Sequence, residues 1–213
     1  MRFTSVSCLM IVLGCMAVAY AQTPSEGVPP RATPADYQAQ AKAGNVTIAA
    51  EFMQHSVPTP EATFTSEDYI IVEAGIFGAA GQKLTLTPAD FSLRVNGKKQ
   101  VLPSQPFGFV QRSLKDPEWE MNQAAEKAEK AHLNLGGNDP GNTGEKPPPP
   151  KMPIEVQRAM DQKVQKASFP EGDRPLPQAG LLYFEYRGGL KGVRQLELIY
   201  SGPAGKATLA LQP

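Results

Sequence analysis

Apolar and polar residues alternate with a period of two over much of the chain after residue 44, a pattern typical of half-buried β-strands. Val46, Ile48, Ala50 and Phe52 form the first such series. The run Tyr69–Phe77 is almost continuously apolar and rich in β-branched residues, which predicts a central strand of a sandwich. Both patterns favour a protein built from sheets.

A hairpin is predicted around the dipeptide Asn96-Gly97. Residues 91–95 alternate before it, and the apolar pattern resumes at Val101 after two lysines. A type I′ turn requires positive φ at both central residues, and Asn-Gly is the pair that adopts this conformation most readily. The sequence therefore predicts two antiparallel strands joined here.

Three further alternating segments lie near the C-terminus, at residues 180–187, 193–200 and 207–211, and Gly-rich turns separate them. The chain thus carries about seven short strands with turn signals at short intervals. We expect a mainly β fold, an immunoglobulin-like antiparallel β-sandwich spanning residues 45–213.

A helical insertion is predicted within this sandwich at residues 117–169. Pro117 and the acidic residues after it favour the start of a helix over 118–135, and Pro153 favours a second over 154–167. A Pro/Gly-rich loop, residues 136–153, connects them. Insertions of this length are commonly functional or disordered. Whether the two helices pack on the sandwich or project from it stays open.

The second predicted helix carries Val156, Met160 and Val164 at spacings that place them on one face. This face either packs within the protein or binds a partner. Trp119, the only tryptophan, lies at the root of the insertion and either fixes the first helix to the sandwich or contacts a partner. These four residues are the candidate partner-binding positions.

The N-terminal segment has the features of an export signal. Arg2 is followed by an apolar stretch, and Ala19-Tyr20-Ala21 matches an A-x-A cleavage site, so residues 1–21 are predicted to be removed. Residues 12–15 resemble a bacterial lipobox, which makes lipidation of Cys15 the alternative. Residues 22–44 are rich in proline and small residues and predict a flexible leader.

Composition restricts the chemistry. Both cysteines, Cys8 and Cys15, lie in the predicted signal, so a chain cleaved after Ala21 would have no disulfide and no thiol catalyst. Lys and Arg balance Asp and Glu at 21 each, which gives no basic field for nucleic acid. No downstream segment is apolar for long enough to predict a membrane span. We expect a secreted or periplasmic protein.

Several of these segments together resemble a known group of domains. The runs at residues 69–74, 86–93, 96–99 and 180–185 are similar to the immunoglobulin-like domains of bacterial extracellular proteins and lipoproteins of unknown function. The similarity covers roughly residues 45–102 and 180–212, and the insertion departs from it. The resemblance implies an accessory or binding module and carries no catalytic residues.

Few residues offer catalytic or metal chemistry. Met53 and His55 could supply a thioether and an imidazole to copper if they share one face of a strand, but no third ligand is evident. His132 suits the C-terminal end of a helix. We therefore assign no catalytic, cofactor-binding or metal residues and expect no cofactor.

The sequence thus predicts a non-enzymatic module that binds protein at the bacterial cell envelope. The alternative is an accessory domain that binds carbohydrate or another small ligand through aromatic residues of the sheet, such as Tyr183 and Tyr186. Exposure of these two rings in a row would favour the alternative, and their burial would count against it.

Overall fold

A computed structural model describes residues 25–133 and 151–213 of the chain. The predicted signal with Cys15, and most of the predicted loop 136–153, lie outside these residues. Cleavage after Ala21, lipidation of Cys15 and the character of that loop therefore stay predictions. Within the described residues, no helix is both long and apolar enough to cross a bilayer.

The described chain is mainly β, as predicted, and contains thirteen strands and three α-helices. The strands are β1 (Ala39–Ala43), β2 (Val46–Phe52), β3 (Ser56–Pro58), β4 (Thr63–Ser66), β5 (Tyr69–Phe77), β6 (Lys83–Leu86), β7 (Phe91–Val95), β8 (Leu102–Gln105), β9 (Leu114–Lys115), β10 (Gly172–Pro175), β11 (Gln178–Glu185), β12 (Leu196–Gly202) and β13 (Gly205–Leu211). The helices are α1 (Phe107–Val110), α2 (Pro117–Leu133) and α3 (Ile154–Ala167).

Eight strands form one antiparallel sheet in the order β1-β2-β5-β11-β8-β7-β12-β13. The two edges, β1 and β13, contact each other, so the sheet is close to a barrel. Two smaller sheets, β10-β6 and β3-β4-β9, lie outside it. The predicted antiparallel β architecture is confirmed, whereas its immunoglobulin-like arrangement is not.

The period-two patterns fill the interior of this curved sheet. Alternate residues of β2, β5, β7, β11, β12 and β13 point inward and are buried together, with Phe91 at the centre of an aromatic group that includes Phe169 and Tyr200. The Asn96-Gly97 turn has positive φ at both residues, 52° and 65°, as predicted. The turn lies in a connection of several residues between β7 and β8. Beyond it, Leu93 of β7 pairs with Leu102 of β8.

A second apolar layer covers the outer face of β5 and β11. Ile71 and Leu181 point outward from these strands, and Met160 and Val164 of α3 pack in the same cluster. The bounds predicted for this helix, residues 154–167, are confirmed. The continuous apolar run of β5 is explained because both of its faces are buried.

The N-terminal segment differs from the predicted flexible leader, because residues 25–44 are part of the fold. β1 pairs along its whole length with β2, and Val28 bridges to Ala179 of β11. Gly27 passes close to the Ala179 carbonyl with φ +86°, where a side chain would collide. Gly27 allows close packing against β11, and the alanines of β1 pack against the interior of the sheet.

A charged cluster fixes this segment to the sheet. Arg31 forms ion pairs with Glu51 and Glu73, which are directly opposite each other on β2 and β5. Its guanidinium carbon lies 4.5 Å from the centre of the Tyr37 ring, and burial raises the pKa of Tyr37 to about 12. Arg31 thereby neutralises two carboxylates that would otherwise repel each other on a largely covered face.

Replacing Met160 by alanine should lower the free energy of unfolding by about 2–5 kcal/mol, because Met160 is only 3% exposed and its loss leaves a cavity under the sheet. Met121→Ala is the matched control, since Met121 is 65% exposed and should change stability by about 0.5 kcal/mol or less. Urea denaturation followed by circular dichroism measures both. Equal effects would contradict the packing of α3 on the sheet.

The Arg31→Ala variant should be destabilised by about 1–3 kcal/mol, because Glu51 and Glu73 then face each other without a cation. The loss should shrink when the same change is made in a Glu73→Gln background, where the repulsion is absent. Thermal denaturation of the two single variants and the double variant measures this coupling. Arg187→Ala, which removes a well-exposed ion pair, is the control and should be nearly neutral.

Candidate functional site

A cleft of about 650 Å³ opens between α1, α3 and the outer face of the sheet at β8 and β11. It exists because β8 is short and pairs through only two residues with each neighbour. Pro106 follows the strand and leads into α1, so the chain leaves the sheet at this point. Ser168 and Phe169, at the exit of α3, line the cleft near Leu181.

Asp161 is the most unusual residue of the cleft. It is a carboxylate on the buried side of α3, between Met160 and Val164, and only 8% of its surface is exposed. One carboxylate oxygen, Oδ2, accepts a hydrogen bond of 2.5 Å from the Gln111 amide. Burial raises the pKa of Asp161, and the bond from Gln111 opposes that rise.

Two buried oxygen atoms of the cleft residues have no hydrogen-bond partner within the described chain, Oδ1 of Asp161 and Oγ of Ser104. The neighbouring polar groups are satisfied, because the Ser168 hydroxyl donates to the Val164 carbonyl and bonds with the Tyr183 hydroxyl, 2.9 Å in each case. Orphaned buried polar atoms are uncommon in folded proteins, and they mark places where a further hydrogen-bonding group can be accommodated.

The rim of the cleft combines planar polar side chains with an aromatic ring. Arg158 and Gln162 of α3 are exposed there, and Arg174 contributes a second cation. Phe109 of α1 is 65% exposed although it is a large apolar side chain. The cleft thus offers hydrogen-bond donors, acceptors and one apolar platform.

Most of the candidate partner-binding residues pack within the protein. Met160 and Val164 are buried against β5 and β11, so for these two side chains the structure favours the alternative of packing within the protein. Their spacing reflects an internal interface, because α3 covers the outer face of the sheet. Val156 and Trp119 are half-buried. Trp119 lies in the first turn of α2, where the Asp116 carboxylate accepts its backbone N–H at 3.1 Å.

Tyr183 and Tyr186, the two aromatic residues considered for carbohydrate binding, do not form an exposed row, which counts against binding at this part of the sheet. Tyr183 is 2% exposed and belongs to the outer apolar layer, whereas Tyr186 is half-buried and packs against the interior. They lie on opposite faces, because an odd spacing along a strand reverses the side chain. Burial also raises the pKa of Tyr183 above its ordinary value.

Met53 and His55 are not on one face of a strand, because β2 ends at Phe52 and Gln54 has a positive φ of 59°. Nδ1 of His55 lies 2.7 Å from the Tyr69 carbonyl, which can only accept, so Nδ1 carries the proton. Among the described residues, no three His, Cys, Asp or Glu side chains converge as a metal site would require. The side chain of His132 lies outside the described residues.

Sequence reasoning missed Asp161, Ser104 and Phe109. The signal for Asp161 was present, since a carboxylate one residue after Met160 and three before Val164 interrupts an apolar face. No comparable signal marked Ser104 or Phe109. Their position depends on where β8 ends and α1 begins.

The Asp161→Asn variant should gain stability relative to the wild type as the pH rises from 3 to 7. The raised pKa means that the folded chain keeps this proton at pH values where the unfolded chain, with an ordinary Asp pKa of about 3.9, has lost it. Wild-type stability therefore falls from that pH upward until the folded-state pKa is passed. Urea denaturation at several pH values measures the difference. A pH-independent difference would contradict the burial of the charge.

Comparisons with protein-family models, with curated proteins and with solved structures find no match to this chain. The site is therefore interpreted from its own geometry.

Proposed function

We propose that this protein is an exported, non-enzymatic binding module of the bacterial cell envelope, and that its ligand occupies the cleft between α1, α3 and β8. The observation that carries the proposal is the pair of buried oxygens, Asp161 Oδ1 and Ser104 Oγ, left without partners among cleft residues whose neighbouring hydroxyls are satisfied. A ligand that supplies hydrogen-bonding groups would complete this arrangement.

Export to the periplasm or beyond rests on the signal-like residues 1–21. A relationship to immunoglobulin-like domains rests on the strand patterns at residues 45–102 and 180–212. The antiparallel sheet is compatible with such a module, although here it curves until β1 contacts β13. The cleft offers amides, arginines and carboxylates that can hold a ligand by hydrogen bonds.

A second candidate function, protein binding, is favoured by α2. Nearly all of its described side chains after Trp119 are exposed, on every side of the helix, and they include Met121. A helix with so little internal packing can serve as an arm that a protein partner contacts. This version keeps the predicted role of Trp119 and does not use Met160 or Val164.

Blocking the cleft tests the proposal. Gly108 lies in α1 at the cleft, and a side chain added there meets open space, so Gly108→Trp should obstruct the cleft without disturbing the fold. Gly189→Trp is the matched control, since position 189 is equally open and lies outside the cleft. The ¹⁵N-labelled mature chain is titrated with an envelope extract separated by ultrafiltration into low-mass and high-mass fractions.

We expect the low-mass fraction to shift amide signals of α1 and α3 in the wild type and in the control variant Gly189→Trp. The same fraction should shift none of these signals in Gly108→Trp. Shifts confined to α2 with the high-mass fraction would instead support protein binding and would overturn the cleft. Shifts from the low-mass fraction that survive in Gly108→Trp would also contradict it.

A further inference from the structure

The charges of the cleft balance. Arg158 and Arg174 are matched by Asp161 and Glu171. Arg174 also donates to two backbone carbonyls, those of Glu171 at 3.2 Å and Ser25 at 3.4 Å, so part of its hydrogen-bonding capacity is used within the protein. A cleft of this kind gives no net electrostatic preference for a strongly charged ligand.

The polar groups of the cleft both donate and accept. Gln105, Gln111 and Gln162 each carry an amide with two donors and one acceptor oxygen, and Ser104 has a hydroxyl that can do either. Asp161 adds an acceptor, Oδ1, that has no donor among the described residues. A hydroxyl group complements such a set, because it can donate to Asp161 and accept from an amide at the same time.

An apolar platform lies next to these groups. Phe109 is exposed at the rim. Two residues after it comes Gln111, whose amide donates a hydrogen bond to the Asp161 carboxylate. The ring and the carboxylate are thus linked through one short segment of chain. An aromatic ring offers a flat apolar surface. The C–H face of a ligand can pack on it while the polar edges of the ligand form hydrogen bonds elsewhere.

We infer that the cleft binds a neutral carbohydrate, one pyranose ring lying on Phe109 while its hydroxyl groups bond with the polar side chains around Asp161 and Ser104. This inference rests on the proposed function and specifies its ligand. The volume of about 650 Å³ lies in the range of small-molecule sites. A sugar concentrates several hydroxyls on one compact ring, whereas an extended peptide offers its donors and acceptors singly along a longer chain.

The test uses the mature chain, residues 22–213, and isothermal titration with four neutral disaccharides, namely maltose, cellobiose, lactose and chitobiose. Trialanine and digalacturonate serve as peptide and acidic-sugar probes. We expect at least one neutral disaccharide to bind. Its affinity should fall at least tenfold in Phe109→Ala and in Asp161→Asn.

Each variant has a matched control. Ile154→Ala removes another exposed apolar side chain, and Glu155→Gln removes another carboxylate of α3, and neither residue lines the cleft. Both controls should bind as the wild type does. Phe109 is exposed, so its removal leaves the fold intact, and Asp161→Asn keeps a group that the Gln111 amide can still contact.

The outcomes separate the two proposals. Binding of trialanine or digalacturonate alone, sensitive to Gly108→Trp, would overturn the neutral carbohydrate and leave the cleft as the binding site. Disaccharide binding that is unchanged in Phe109→Ala and Asp161→Asn would overturn the placement of the sugar. If no disaccharide binds but the low-mass envelope fraction still binds at the cleft, the carbohydrate inference fails and the proposed function stands. If neither binds, both proposals fail.

Discussion

Burial of β5 and β11 on both faces is the constraint on which the rest of the structure depends. Their inner residues, such as Val72 and Leu182, pack in the interior of the curved sheet, while Ile71 and Leu181 point outward. An outward apolar face of this size must be covered, because leaving it in water would cost about 25 cal/mol for each Å². Helix α3 and the small sheet β3-β4-β9 cover it.

That cover also explains the cleft. α3 is held by Met160 and Val164, and between them it brings Asp161 to the edge of the covered area, where β8 ends and α1 begins. A buried carboxylate with one oxygen unsatisfied costs stability, and such costs in folded proteins are concentrated at functional sites. The same residue therefore links the packing of the outer layer to the proposed binding of a ligand.

The N-terminal segment completes the sheet on its other side. β1 places its edge against β13, and Arg31 balances Glu51 and Glu73 on the strands beneath it. Val28 and Gly27 lie against β11, near the exit of α3. Residues that resembled a linker thus contribute a strand, an ion-pair cluster and part of the outer cover, and they bring one edge of the sheet into contact with the other.

The local elements follow from the order of the residues, because period-two alternation, Asn-Gly and proline act within a few residues. The sequence predicted β5, the Asn96-Gly97 turn and the bounds of α3. Which apolar faces meet depends instead on the packing of segments that are distant in the chain. The spacing of Met160 and Val164 is the same whether they contact a partner or the protein's own sheet. The alternation around Tyr183 likewise does not distinguish an exposed ring from a buried one. Asp161, Ser104 and Phe109 form one cleft because separate segments pack together, and that long-range packing leaves no local period in the sequence.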